Sequence, residues 1–229
     1  MPGYVMHLAL ANKLLPDFDF AEERDINNFI LGNIVPDIKK GDLKKHTHFW
    51  NEETMALFER KPDLSLFLKQ YGDRIKQPFV LGYYTHLFFD YYYVNDFWKK
   101  HYSFYDGDMQ PSNSYEKVKF VKVVKKGKLY DRFTFFSDEF FYGDYSRMVP
   151  YIVSGYNIEK LHFREIDNII CEILDSNAKA ELGNMINYIN SSFDSAGSIE
   201  KLKVFEYEEI DQMIDDVAEK IIESLLRIK

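Results

Sequence analysis

The sequence predicts an all-α protein, folded as a single-domain helical bundle, and three observations carry that expectation. Apolar residues recur at three- and four-residue spacing in segment after segment, the period of a half-buried helix. No stretch alternates apolar and polar residues for long enough to require a sheet. Neither an internal repeat nor a linker divides the 229 residues, and a hydrophobic share of 46% is enough for one substantial core.

Residues 4–15 predict the first helix, with Val5, Leu8, Ala11 and Leu15 on one face and Pro16 closing it. His7 shares a side with Tyr4, Ala11 and Leu14 and is expected to point inward. Residues 22–31 predict a second helix, with Glu22 and Glu23 in the first turn where the helix dipole favours acids. Gly32 ends it, and Pro36 predicts an extended Val35, so that Asp37 is displayed from a fixed loop. Shorter helices are expected over 52–60 and 64–71. Residues 78–100 form the longest and most aromatic helical segment, and it carries His86 and Asp90.

Gly107 and Pro111 mark 102–113 as a loop. Val118, Val121 and Val124 stand at helical spacing opposite Lys119, Lys122, Lys125 and Lys126, which predicts a helix over 114–126. Further helices are expected over 157–175, 178–191 and 207–228. In the last, Ile210, Met213, Ile214, Val217, Ile221, Leu225 and Ile228 form one stripe, with Glu208, Glu209 and Asp211 early and Arg227 and Lys229 at the end.

Composition narrows the function. A formal net charge of −8 argues against sequence-independent nucleic-acid binding, which depends on Lys and Arg neutralising phosphates. It leaves room for a small phosphodiester held by a metal. The lone Cys171 sits in an apolar helical segment, 169–174, and reads as a core thiol. No apolar run reaches the length of a membrane span. The N-terminal apolar run lacks a basic flank and is broken by His7, Asn12 and Lys13, so no signal peptide is expected and a cytoplasmic location follows. The lysines of 117–128 read as a solvated helix face, or as a patch drawn to anionic lipid headgroups in a peripheral membrane contact. The aromatic content of 17% points to a bulky core and a cleft wall.

His86 and Asp90 carry the sharpest chemistry. At i and i+4 they share one helix face. A buried histidine and a buried carboxylate need partners, and a shared metal ion is one that serves both. Asp37 reads either as a ligand or as the N-cap of Ile38-Lys39-Lys40. His46 and His48 point the same way in an extended segment and diverge by about 200° in a helix, so spacing leaves the choice between them open. No Walker loop, nucleophile elbow or dinucleotide fingerprint is present.

Taken in order, His7, the turn Gly32-Asn33-x-x-Pro36-Asp37, the pair His48-Phe49 and the string Gly82-Tyr83-x-x-His86-x-x-x-Asp90 resemble the bacterial zinc-dependent phospholipase C family. That family shares an all-helical fold with the fungal single-strand nucleases, and the resemblance covers roughly residues 2–98. It implies one or two zinc ions held by His7, Asp37, His48, His86 and Asp90, with Asp90 bridging. It selects His48 over His46, because the family's ligand directly precedes a Phe. Removal of Met1 would leave Pro2 with a free amine at the spacing from His7 that the nuclease branch uses as a further donor.

The activity implied is hydrolysis of a phosphate ester by zinc-activated water, with Asp37 orienting that water and a small phosphodiester or phospholipid as substrate. The third metal triad is poorly matched. Asp96 stands where a histidine is expected and Ile166 where a carboxylate is, leaving His101, His162 and Glu165 as weak substitutes. A third ion is therefore not expected, and no residue is identifiable as the acid for the leaving group. A metal-stabilised scaffold without turnover is the alternative from another class, and a nuclease of the same fold is disfavoured by the acidic balance.

Overall fold

The computed structural model describes residues 2–162 and 169–228, and it is mostly helical with one small sheet. Helix α1 (Tyr4–Leu14) is buried along most of its length, and Pro16 lies in the 3-10 turn that follows. Helix α2 (Glu23–Gly32) leads into a 3-10 turn, Val35–Ile38. Short helices α3 (Lys44–Thr47) and α4 (Glu52–Ala56) come next, then α5 (Leu64–Tyr71). Asn51 and Asp63 cap α4 and α5, each accepting a backbone N–H through its side chain.

Helix α6 (Pro78–Tyr92) runs through the centre, with Pro78 in its first turn. Twelve of its fifteen residues are buried, His86 and Asp90 among them. A helix apolar on nearly every side belongs in the middle of a bundle. Its axis continues through a π-helical turn, Tyr93–Phe97, into α7 (Trp98–His101). Helix α2 crosses α6 where Gly32 meets Gly82. A Cβ on Gly82 would stand 2.1 Å from the Phe29 carbonyl oxygen, and one on Gly32 would stand 2.3 Å from that of Phe79. Only glycine permits so close a crossing.

The sequence expectation fails between 102 and 131. Strands β1 (Tyr102–Tyr105), β2 (Phe120–Val123) and β3 (Lys128–Asp131) form an antiparallel sheet in that order, so the expected helix over 114–126 and the loop over 102–113 are both corrected. Val121 pairs with Phe104 and Tyr130, and Val123 with Tyr102 and Lys128. The inward residues are Tyr102, Phe104, Val121 and Val123, while Lys122 faces out. The lysines thus lie on a sheet and its hairpin, and Gly127 supplies the positive φ of 62° that the hairpin turn requires.

Beyond the sheet come α8 (Arg132–Phe135), α9 (Phe141–Arg147) and α10 (Val149–Gly155). Of the helix expected over 157–175, residues 157–162 are not helical, 163–168 lie outside the described residues, and α11 (Ile169–Ile173) is what is described. Cys171 within it is half-buried, less enclosed than a core thiol. Helices α12 (Ala178–Asp194) and α13 (Tyr207–Leu225) complete the bundle, with α13 packed on α1 and α6 through the predicted stripe.

One buried carboxylate staples the segment between them. Asp144 on α9 is fully buried and accepts the backbone N–H groups of Lys203, Val204 and Phe205 at 3.0, 2.7 and 3.2 Å, with Arg147 donating at 2.8 Å. No described helix is long and apolar enough to cross a membrane.

Candidate metal centre

Four elements bring the sequence-predicted residues together in the middle of the bundle. Helix α1 supplies His7, the 3-10 turn after α2 supplies Asp37, the end of α3 supplies His48, and α6 supplies His86 and Asp90. His7, His48, His86 and Asp90 are fully buried, while Asp37 keeps 14% of its side chain exposed. Pro36 lies inside the 3-10 turn, so Asp37 is held by a helical turn and not, as the sequence predicts, by an extended Val35.

The residue after His48 explains how α3 ends. Phe49 adopts a φ of +56°, the left-handed conformation that usually closes a helix on glycine. A phenylalanine there costs about 1–2 kcal/mol. Its ring offsets that by packing edge-on against Phe67, Tyr71 and Tyr83. The turn drives His48 inward, while His46 two residues earlier stays exposed.

The donor atoms converge. His48 Nε2 lies 3.2 Å from Asp90 Oδ2, 3.4 Å from Asp37 Oδ1 and 3.4 Å from His86 Nε2. His86 Nε2 lies 3.6 Å from Asp90 Oδ2 and 4.0 Å from Asp37 Oδ1. His7 stacks on His86 with ring centres 3.8 Å apart, and its Nε2 lies 3.5 Å from Asp90 Oδ1. Two overlapping sets have donor atoms within 4.8 Å of one another, His7–His86–Asp90 and Asp37–His48–His86. Asp90 therefore turns one oxygen to His7 and the other to His48 and His86.

Hydrogen bonds outside the cluster fix two of the rings. His86 Nδ1 donates to the Asn33 carbonyl oxygen at 2.7 Å. Thr47 donates its hydroxyl to the Lys44 carbonyl, leaving its oxygen to accept from His48 Nδ1 at 2.9 Å. In its neutral form each ring then turns the Nε2 lone pair to the centre, where it meets carboxylate oxygens, so the centre calls for a positive charge between them, a proton or a cation. Among the described residues no hydrogen-bond partner satisfies either nitrogen of His7 or either oxygen of Asp90.

The electrostatics follow from this crowding. Burial would raise the Asp90 carboxyl, but His86, His48 and His7 hold it well below the usual carboxylate range. Burial likewise opposes ionisation of Asp37, and Lys44, then His48 and His86, hold it well below. Burial disfavours a charged His48, yet hydrogen bonds to Asp37 and Asp90 raise it above its ordinary value. His7 is pushed down to about 4 by burial and by the adjacent His86. The cluster draws positive charge into its middle.

A divalent cation fits that demand. Ligands about 2.0–2.1 Å from a tetrahedral zinc stand roughly 3.3–3.4 Å apart, close to the separations around His48. Three imidazoles with two carboxylates are a donor set suited to zinc. The Nδ1 bonds to Asn33 and Thr47 are the outer-shell contacts that hold ligating histidines in place.

The weakly matched residues lie elsewhere. Asp96 falls in the π turn, faces a surface pocket with Lys220 and Arg227, and takes a hydrogen bond from Asn95. His101 stacks on Phe97 at 4.1 Å beside Glu208 and Glu209. His162 is exposed, and Glu165 and Ile166 lie outside the described residues. Sequence reading missed Thr47, Lys44 and the Asn33 carbonyl. Lys44 is hydrogen-bonded to Asp37 at the one exposed edge of the cluster.

The fold and site together define a mostly helical protein with a buried histidine–carboxylate cluster that could hold a metal ion. The family model for zinc-dependent phospholipase C matches residues 6–194, and the chain belongs to that family. No curated protein and no solved structure matches the chain significantly.

Proposed function

We propose that the chain is a zinc-dependent phosphodiesterase acting as one domain, with a phospholipid or small phosphodiester as substrate. The observation that supports it most is the convergence of three imidazoles and two carboxylates in the buried middle of the bundle, where uncompensated charge costs several kcal/mol per ion. Asp37, His48, His86 and Asp90 would hold one ion, and His7 with the far oxygen of Asp90 a second. Bound zinc supplies Lewis acidity to a phosphoryl oxygen and lowers the pKa of water.

The chain's own groups do the rest. Asp37, alone of the five in reaching solvent, orients the attacking water. Lys44 beside it donates to a non-bridging oxygen of the incoming phosphodiester, which is an anion. Phe89 packs edge-on against His7 at 5.2 Å and helps exclude water from behind the cluster.

Elemental analysis of purified protein, run beside a panel of phosphodiesters, phospholipids and single-stranded DNA, tests this. The expected result is about one or two zinc ions per chain with turnover of a phosphodiester or phospholipid. Stoichiometric zinc without any turnover would favour the scaffold reading, and cleavage of DNA alone would favour the nuclease.

A further inference from the structure

A line of ring and guanidinium contacts leaves the centre at His48. It runs to the Trp50 ring, 5.3 Å away, and on to Arg60, whose guanidinium lies 5.7 Å from the Trp50 ring centre. Arg60 also lies 4.1 Å from the centre of the Tyr115 ring. Arg132 lies 4.6 Å from that same ring centre and donates to the Tyr115 carbonyl oxygen at 2.7 Å. Asp37, the one ligand candidate that is part exposed, is hydrogen-bonded to Lys44. The Tyr142 hydroxyl is pushed up by burial and drawn back by the charges of Lys44 and Arg132, with Tyr115 and Asp138 acting the other way, so Lys44 and Arg132 act on the same group.

The charge of the two guanidiniums is unspent. Arg60 Nε donates to the Leu57 carbonyl and Arg132 to two backbone carbonyls. Among the described residues neither guanidinium has a carboxylate within ion-pair distance. The Trp50 indole N–H is buried and has no partner. A chain of net charge −8 thus sets Arg60 and Arg132 on one Tyr115 ring without carboxylate partners, with the Trp50 ring, whose N–H is idle, beside Arg60. Such a set raises the local concentration of anions and accepts phosphate or carboxylate in a two-pronged fashion. It is hostile to a quaternary ammonium, which needs open aromatic faces, because two guanidiniums already engage the Tyr115 ring.

We propose that Arg60, Tyr115 and Arg132 form a specificity subsite for a second anionic group on the substrate, selecting a phosphorylated or carboxylate-bearing headgroup over a quaternary ammonium. The identity of the substrate rests on the phosphodiesterase reading; the anion preference does not, because the subsite is built without the metal.

The first test therefore uses metal-free protein, titrated calorimetrically with myo-inositol 1,4-bisphosphate, phosphocholine and inorganic phosphate. The bisphosphate should bind at least about tenfold more tightly than phosphocholine and than inorganic phosphate. Arg60→Met and Arg132→Met should each weaken it about fivefold or more. Arg132 also supports the backbone near Tyr115, so if its variant melts early, Arg60→Glu carries the test and should abolish the preference. Equal binding of bisphosphate and phosphocholine, equal binding of bisphosphate and inorganic phosphate, or no effect of the Arg60 variants would overturn the subsite. The second test compares zinc-loaded protein on phosphatidylinositol 4-phosphate and phosphatidylcholine in mixed micelles, where the first should be preferred. Turnover that favours phosphatidylcholine overturns the proposal. If no phospholipid is turned over while the bisphosphate preference and its loss in the variants hold, the phosphodiesterase reading fails and the subsite stands.

Discussion

His86 shows how much one residue of this centre depends on its neighbours. Its Nδ1 is committed to the Asn33 carbonyl and its Nε2 faces Asp90 and His48. The pair His86–Asp90 was legible because i and i+4 share a helix face, and His7, Asp37 and His48 were legible through their motifs. A backbone carbonyl such as that of Asn33 carries no signal in a sequence, and Lys44 looks like any exposed lysine. Asp90→Asn should lower bound metal well below that of Asp96→Asn, since only Asp90 lies in the cluster; equal metal content by elemental analysis would count against the assigned ligands. On the same assay His86→Ala should lose metal clearly, whereas His101→Ala and His162→Ala should keep it. Thr47→Val removes the acceptor that fixes His48 and should weaken zinc binding about tenfold or more, read by competition with a chelating dye.

At the scale of elements, the crossing of α2 and α6 decides the site. The glycine at 82 allows the backbones to touch, and that contact sets the reach from Asn33 to His86. Gly82→Ala should destabilise the protein by about 1–3 kcal/mol or more and lower its metal content. Gly155→Ala, with open space around it, should leave both nearly unchanged in thermal melts and elemental analysis. The long helices were legible because each buries a broad stripe. The sheet was not. Val118, Val121 and Val124 fit a helical period, and each strand is only four residues long, too short for its alternation of Val121, Lys122 and Val123 to outweigh that fit. What distinguishes the sheet is pairing with Tyr102–Tyr105, a contact distant in sequence.

Across the whole molecule, the hydrophobic residues form one connected core from α1 to α13, and the centre lies inside it. The C-terminal third is tied to that core through Asp144, which satisfies three successive backbone N–H groups and pairs with Arg147. Asp144→Ala would strand those donors together with the guanidinium. It should cost about 3–5 kcal/mol in a denaturant titration. A loss below about 1 kcal/mol would show that the 203–205 segment contributes little to global stability.

Only Asp37 among the five residues touches solvent, and Lys44 stands across it. An ion seated behind them would leave past that exposed edge, so its release rate would depend on that passage as well as on how tightly it is held. Two preparations with equal affinity for zinc would then differ in half-life under a chelator. Lys44→Ala should empty within a shorter time than the parent at matched affinity, and stopped-flow or manual chelation series would read the difference. With that passage intact, a bound ion would outlast brief scarcity, a form of memory that an equilibrium constant does not record.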